Sequence, residues 1–246
     1  MTKDTWLILG GSSPIARAFG ALVAADGAQV LLCGRDLPDL RLSAADLNLR
    51  FDIATEAIYF DAADIPSHQV LASELSARLG NLNICVIAGR MDDQTAIDAD
   101  CDLAQATITA TFSGIVSILH HLAPRLESQG GGKVIIFGSV AGDRGRLKNY
   151  VYGAAKAGLH AYAQGLRARL WRSGVHVMTV KPGFIDTAMT WGKPGIFLAA
   201  SPEAIATASL SAARRGCHVI YFPWFWRGIM LIIRLIPEQI FKRLSI

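Results

Sequence analysis

Short apolar runs alternate with longer tracts of helical spacing along nearly the whole chain, and the first three segments set the pattern. TWLILGG is an apolar run ending in glycine, SSPIARAFGALVAADG has apolar residues at helical intervals, and AQVLLCGRD is a second apolar run. Such a stretch forms a strand, a tight turn, a helix and another strand. The next segment, LPDLRLSAADLNLRFDIATEA, is hard to divide; after it AIYFD reads as a third strand and SHQVLASELSARLG as a helix. LNICVIAG is the fourth strand. A helical tract from about Asp100 to Ser128 leads to GGKVIIFGS, the fifth, and a helix running to about Ser173 leads to VHVMTVKPG, the sixth. A loop with Trp191 follows, then SPEAIATASLSAARRG, a helix with a serine cap and proline in its first turn, and CHVIYF, the seventh strand. Strands alternating with helices require right-handed crossovers and give an α/β, doubly wound parallel sheet of seven strands, with ligands beyond the carboxyl ends of the strands.

At 246 residues the chain suits one such domain, expected over residues 1–222, with residues 223–246 as an apolar, cationic helical extension. Hydrophobic residues make up 52% and charged residues 18%, which leaves surplus apolar surface for a partner, a substrate or a membrane. Cys33, Cys85, Cys101 and Cys217 lie far apart with no C-x-x-C spacing and no secretory signal before them, so they read as reduced, buried and cytosolic. A formal charge of +4 without a long basic run in the first two hundred positions does not suggest nucleic acid. His120 and His121 lack a further ligand at metal spacing, so no metal is expected.

NYVYGAAKAG, residues 149–158, holds the first chemistry. Positions four apart share a helix face, so Tyr152 stands beside Lys156 while Tyr150 points elsewhere. A nearby ammonium favours the phenolate and is expected to lower the Tyr152 pKa. Tyr150 reads as ordinary helix-start packing or as a wall of a substrate site. In GGSSPIA, Gly10 and Gly11 supply room for a pyrophosphate at the positive end of a helix dipole.

With that turn, Ser139 thirteen residues before Tyr152, Tyr152-Gly-Ala-Ala-Lys156 and Pro182-Gly-Phe-Ile-Asp-Thr187 in order, residues 5 to about 222 resemble the short-chain dehydrogenase/reductase family. The resemblance implies a Rossmann-type fold, NAD(P)(H) as cofactor, catalytic Ser139, Tyr152 and Lys156, and frequent homo-oligomers. By the same carry-over, Gly10, Ser12, Ser13, Ile15, Asp61, Ala62, Ala88, Gly89, Tyr152, Lys156, Pro182, Gly183, Ile185 and Thr187 would border the cofactor. Three departures stand out: the T-G-x-x-x-G-x-G turn keeps only its first glycine, the family's helix asparagine is Thr111, and the asparagine after the fourth strand is missing from VIAG. Thr111 puts the family's proton relay in doubt.

In CGRD, Gly34 takes the slot where an acid would hold the ribose hydroxyls of NAD, and Arg35 follows it, which favours NADP(H) over NAD(H); Asp36 argues the other way. Arg17 faces phosphate or solvent. Arg144, Arg146 and Lys148, between Ser139 and Tyr152, either form a solvated loop or receive an anionic substrate. In the tail FPWFWRGIMLIIRLIPEQIFKRLSI, Arg227, Arg234 and Glu238 make a thin polar stripe on an apolar helix, too interrupted to span a bilayer. It either folds against the domain or a second subunit, or lies in a membrane interface with Trp224 and Trp226 at headgroup level.

SVAGDRGR, YVYGAAKAG and the tail also look, more loosely, like the decaprenylphosphoryl-2-keto-ribose reductase group of that family. This likeness implies an NADPH-dependent reductase of a keto-sugar on a polyprenyl phosphate, cytoplasmic and peripheral at the inner face of the membrane. A reductase of a free 3-oxoacyl or steroid-like ketone, and a weakly catalytic NADP-binding regulatory protein, are the alternatives.

Overall fold

The central strands are apolar over most of their length because both faces of the sheet are covered. In the computed structural model, which describes residues 4–78, 80–187 and 198–244, the strands are β1 (Asp4–Leu9), β2 (Gln29–Gly34), β3 (Thr55–Tyr59), β4 (Asn81–Val86), β5 (Lys133–Phe137), β6 (His176–Pro182) and β7 (Val219–Phe222). The loop around Trp191 lies outside the described residues. The strands form one parallel sheet in the order β3-β2-β1-β4-β5-β6-β7, a doubly wound Rossmann-type arrangement. Alternate residues serve opposite cores: Leu7, Leu9, Ile84, Val86 and Val177 on one face, and Trp6, Ile8, Cys85, Ile135 and Val180 on the other.

The helices are α1 (Pro14–Ala25), α2 (Leu37–Phe51), α3 (His68–Arg78), α4 (Gln94–Ala99), α5 (Cys101–Ile108), α6 (Gly114–Gln129), α7 (Tyr150–Leu170), α8 (Pro202–Arg214), α9 (Trp226–Leu235) and α10 (Glu238–Phe241). Helices α3, α6 and α7 cover the first face of the sheet, and α1, α2 and α8 the second. Helices α5 and α6 are one rod interrupted by a wide π turn at Thr109–Ser113. That rod is long and apolar enough to cross a membrane, but Ile115, Ile118, Leu119 and Leu122 are buried against the sheet. Ser13, Asp36 and Ser201 cap α1, α2 and α8 by accepting the backbone N–H groups of Ala16, Asp39 and Ala204.

Three expectations need correction. Strand β3 starts two residues before AIYFD. Of the cysteines, Cys33 and Cys85 are buried, but Cys101 is exposed and Cys217 half-buried. The tail is not one striped helix: it breaks at Ile236–Pro237, so Glu238 begins α10 and leaves the line of Arg227 and Arg234.

The break has a physical cause. The Arg144 guanidinium donates to the carbonyl oxygens of Ile233 (2.6 Å) and Ile236 (2.6 Å), pairs with Glu238 at 2.9 Å, and lies 3.7 Å from the centroid of the Phe241 ring. It thereby satisfies carbonyls that the end of α9 would leave without partners. At the other end of α9, Trp226 and Met230 are buried with Val140. The tail thus folds against its own domain along one side, and Trp226 is not at headgroup level. Trp224, at 82% exposure, stands outside with Leu231, Ile232 and Leu235.

Candidate active site

The ends of β5, β6 and β4 and the start of α7 converge beyond the carboxyl edge of the sheet. After β5, Gly138 donates its N–H to Val180 O at 2.8 Å, and Ser139 continues in extended backbone. The Ser139 Oγ accepts the Ala141 N–H at 3.1 Å and caps a short turn, Val140–Asp143. Helix α7 comes down on that turn at Gly153, where a Cβ would lie 2.9 Å from Ala141 O.

This approach brings the Tyr152 hydroxyl beside the Ser139 side chain. Tyr152 is 6% exposed and Lys156 3%. Burial pushes the Tyr152 phenol up to about 12, against a smaller downward pull from Ser139. The expected lowering by Lys156 is therefore overturned: desolvation outweighs it, and the Lys156 ammonium donates to Phe137 O at 2.8 Å and stands 5.8 Å from the tyrosine ring centroid. Burial draws Lys156 itself down to about 8. At neutral pH the pair is a phenol that keeps its proton beside a charged ammonium. Tyr150 is half exposed and donates to Asp98 at 2.5 Å, on the outer side of the helix start.

On the opposite side of this edge lies the turn after β1. Gly10 has φ +90, and a Cβ there would meet Ala88 N at 2.6 Å; one on Gly11 would meet Leu40 at 2.9 Å. Their missing side chains thus allow β1, β4 and α2 to close together. Ser13 caps α1, and the capping bonds leave out the backbone N–H groups of Ser12 and Ile15, at the positive end of the helix. Asp36 is committed to the first turn of α2, and Arg17 is paired with Asp39 at 2.6 Å. Among the described residues no carboxylate pairs with Arg35, which is exposed at the end of β2. This donor set fits a dinucleotide phosphate.

Asp61 accepts the Ala63 N–H at 2.9 Å, so it turns the chain after β3, next to the buried Ala62. Ala88 is bonded to Leu9 O at 2.9 Å, and a Cβ on Gly89 would come 3.2 Å from the Lys156 Nζ, so Gly89 leaves space beside that ammonium. Thr111, in the π turn, accepts the Arg90 N–H at 2.9 Å and returns its proton to Arg90 O at 3.0 Å. Its only side-chain donor is spent on the segment that carries Ala88 and Gly89. Pro182 ends β6; at Gly183 a Cβ would overlap Trp226 Nε1, so the tail supports this turn from behind. Ile185 is buried and bridged to Ala200, and Thr187 follows it.

The sequence left Arg144 either in a solvated loop or receiving an anionic substrate, whereas it holds the tail. Arg146 is half-buried, its guanidinium lowered by desolvation against the opposing pull of Asp143, and Lys148 is exposed. A buried polar group behind Ser139, made of Asp143, His160, Lys181 and Tyr221, was not foreseen. His160 carried one readable signal, its place four residues beyond Lys156.

The family profile described as short chain dehydrogenase matches residues 4–194. An uncharacterized oxidoreductase of Mycobacterium tuberculosis is 36% identical over 239 residues, covering 97% of this chain and 96% of its own length. One from Streptomyces coelicolor is 32% identical over 245 residues, covering 98% of this chain and 95% of the relative. Among solved structures, a short-chain dehydrogenase from Sphingobium yanoikuyae in complex with NADPH superposes with a TM-score of 0.81 at 25% identity, covering 96% of both chains.

Proposed function

The chain belongs to the short-chain dehydrogenase/reductase family and is an NAD(P)-dependent oxidoreductase, and on that premise we propose that it reduces a carbonyl on a lipid-linked substrate with NADPH. The observation that carries the reading is the buried Tyr152 hydroxyl beside the Ser139 side chain, with Lys156 one helical turn away. The reduced nicotinamide supplies a hydride to the carbonyl carbon when bound. Charge then grows on the carbonyl oxygen, where Tyr152 delivers its proton and the Ser139 hydroxyl donates a hydrogen bond. Lys156 keeps a positive charge beside that proton donor.

Ser12, Ser13 and Ile15 at the start of α1 would hold the cofactor's phosphates, Asp61 and Ala62 its adenine end, and Ala88, Gly89, Pro182, Gly183, Ile185 and Thr187 its nicotinamide end. Preference for NADPH is supported by Arg35, exposed where the second strand ends, and by the commitment of Asp36 to a helix cap. A lipid rather than a free ketone is supported by one surface: Trp224, Leu231, Ile232 and Leu235 are exposed on the outer side of the tail, beside exposed Arg227, Arg234, Lys242 and Arg243. Apolar side chains ringed by cations suit an anionic membrane surface. A keto-sugar on a polyprenyl phosphate fits that position at the inner face of the membrane.

The test is NADPH oxidation by the purified protein with keto-sugar lipids in anionic vesicles, free keto-sugars and apolar ketones. Turnover confined to the vesicle-borne substrates is the expected result. Equal turnover of a soluble apolar ketone without vesicles overturns the lipid assignment, and no oxidation with any carbonyl overturns the reductase.

A further inference from the structure

Tyr152, Lys156 and His160 recur at four-residue intervals along the buried face of α7. His160 is 5% exposed, and its ring sits between two glycines of the Ser139 segment. A Cβ on Gly138 would overlap its Nε2, and a Cβ on Gly142 would stand 2.8 Å from its Cε1. The segment is thus shaped around this ring.

The backbone N–H of Ser139 points at the His160 Nε2 across 3.3 Å. Nε2 is therefore the acceptor, and the proton of the neutral imidazole belongs on Nδ1. Nδ1 lies 3.6 Å from an oxygen of Asp143, too far for a good hydrogen bond but on the side where a carboxylate favours a proton. Asp143 is fixed in turn from β6 and β7, by the Lys181 Nζ at 2.5 Å and the Tyr221 hydroxyl at 2.6 Å. Burial, then the charge of Lys181, lowers His160 to about 3, with Asp143 pulling the other way, so the ring stays neutral at ordinary pH.

Serine, histidine and aspartate in one cluster suggest a nucleophilic triad, and the geometry rejects it. The imidazole meets the amide of Ser139 and not its hydroxyl, so it takes no proton from that oxygen. What it does hold is the main chain on which the hydroxyl is mounted. Gly138 is anchored to Val180 O on one side and Ala141 to the Ser139 Oγ on the other. The Ser139 amide lies between these two anchors.

We infer that His160 is a positioning residue, which fixes the backbone of Ser139 so that its hydroxyl stays within hydrogen-bond reach of Tyr152, and that Asp143 sets the imidazole tautomer this requires. The inference rests on the reading of Ser139 and Tyr152 as the pair that serves the carbonyl oxygen. Without the acceptor, a buried N–H loses its partner and the end of β5 is free to shift. A small displacement there lengthens the Ser139–Tyr152 contact while leaving the distant phosphate-binding turn unchanged.

The test compares His160→Leu, His160→Gln and Ser139→Ala, singly and combined. In His160→Leu, kcat should fall by about 10- to 100-fold, with the NADPH dissociation constant within about twofold of the parent. The Gln Oε1 reaches the position of Nε2, so His160→Gln should recover most of the rate. In a Ser139→Ala background, His160→Leu should cost no more than about a further twofold, because the two act as a unit. Equal losses with and without Ser139, or a Gln variant no better than Leu, would overturn the inference. If His160→Leu does not fold, His160→Asn replaces it, since its carboxamide is too short to reach; equal rates for Asn and Gln would also overturn it. Ring-nitrogen NMR of His160 reads the tautomer without any substrate: a proton on Nδ1 is expected, and one on Nε2 defeats the inference even if the reductase reading stands. A protein that reduces no carbonyl yet shows the Nδ1–H ring fails on the reading alone.

Discussion

Helices α7 and α9 both use four-residue spacing, and each inverts the usual placement of polar and apolar groups on a different side. On α7 the inward face is polar: Tyr152, Lys156 and His160 are buried, Tyr152 beside Ser139, Lys156 bonded to Phe137 O and His160 to the Ser139 amide. On α9 the inward face is ordinary, with Trp226 and Met230 buried, but the outward face presents Leu231, Ile232 and Leu235 to solvent. Burying polar groups costs free energy unless each finds a partner, and exposing apolar ones does so unless something covers them. The first inversion is resolved within the chain, which is what a reaction site requires. The second is left unresolved among the described residues, which is what a docking surface requires. They meet through Gly183, backed by Trp226, and through Arg144.

The sharpest way to separate the two faces of α9 is to truncate one tryptophan from each. Trp226→Ala should cost about 3–5 kcal/mol of stability by denaturant titration, as for a large core side chain. Trp224→Ser should stay within about 0.5 kcal/mol of the parent, and lose sedimentation with anionic vesicles. Equal destabilisation by both would erase the distinction. On α7, Tyr152→Phe should lower turnover by about 100-fold or more with NADPH binding intact, while Tyr150→Phe removes only an outer bond to Asp98. A near-normal rate for Tyr152→Phe would show that the buried polar line is structural.

Arg35→Ala tests the far side of the cofactor and should weaken NADPH by about 1–3 kcal/mol, well beyond its effect on NADH. Equal losses would remove Arg35 from the phosphate. The mildest effect is that of pH on Lys156. Burial lowers it from 10.5 to about 8, so turnover that depends on the ammonium should decline as pH rises through about 8. Between that value and 10.5 the unfolded chain binds the extra proton, so this group's contribution to stability should rise with pH. Activity should therefore fall with pH while the melting temperature of the parent rises relative to that of Lys156→Met; a gap that does not change with pH would show that Lys156 does not titrate in this range.

Which parts were readable follows from how local their causes are. Strands β1, β4 and β5 announce themselves because both of their faces are buried, so their runs are predominantly apolar. The stretch from Leu37 to Tyr59 did not divide cleanly because α2 carries Leu42 and Leu49 on its exposed side, and β3 is an edge strand with Glu56 and Tyr59 exposed. Tyr152 and Lys156 were legible as a motif, since one helix holds both. The direction of the tyrosine shift was not, because burial is a property of the assembled site. Arg144 and Asp143 were read wrongly or passed over for the same reason: their partners lie in β6, β7 and the tail, and no local pattern links them.

The wide turn at Thr109–Ser113 has a genetic consequence. It holds an extra residue within the rod, and in a regular helix each residue advances the chain by about 100°. Deleting one codon there would let the rod wind evenly from α5 into α6. Gly114 is pinned where any side chain would strike Ala62 O, so the rotation would fall on the residues before it. Thr111 would then swing away from both backbone groups of Arg90 and release the segment that carries Gly89. At this point a shorter gene would encode a more regular helix and a displaced Thr111, so the site depends on chain length as well as on residue type.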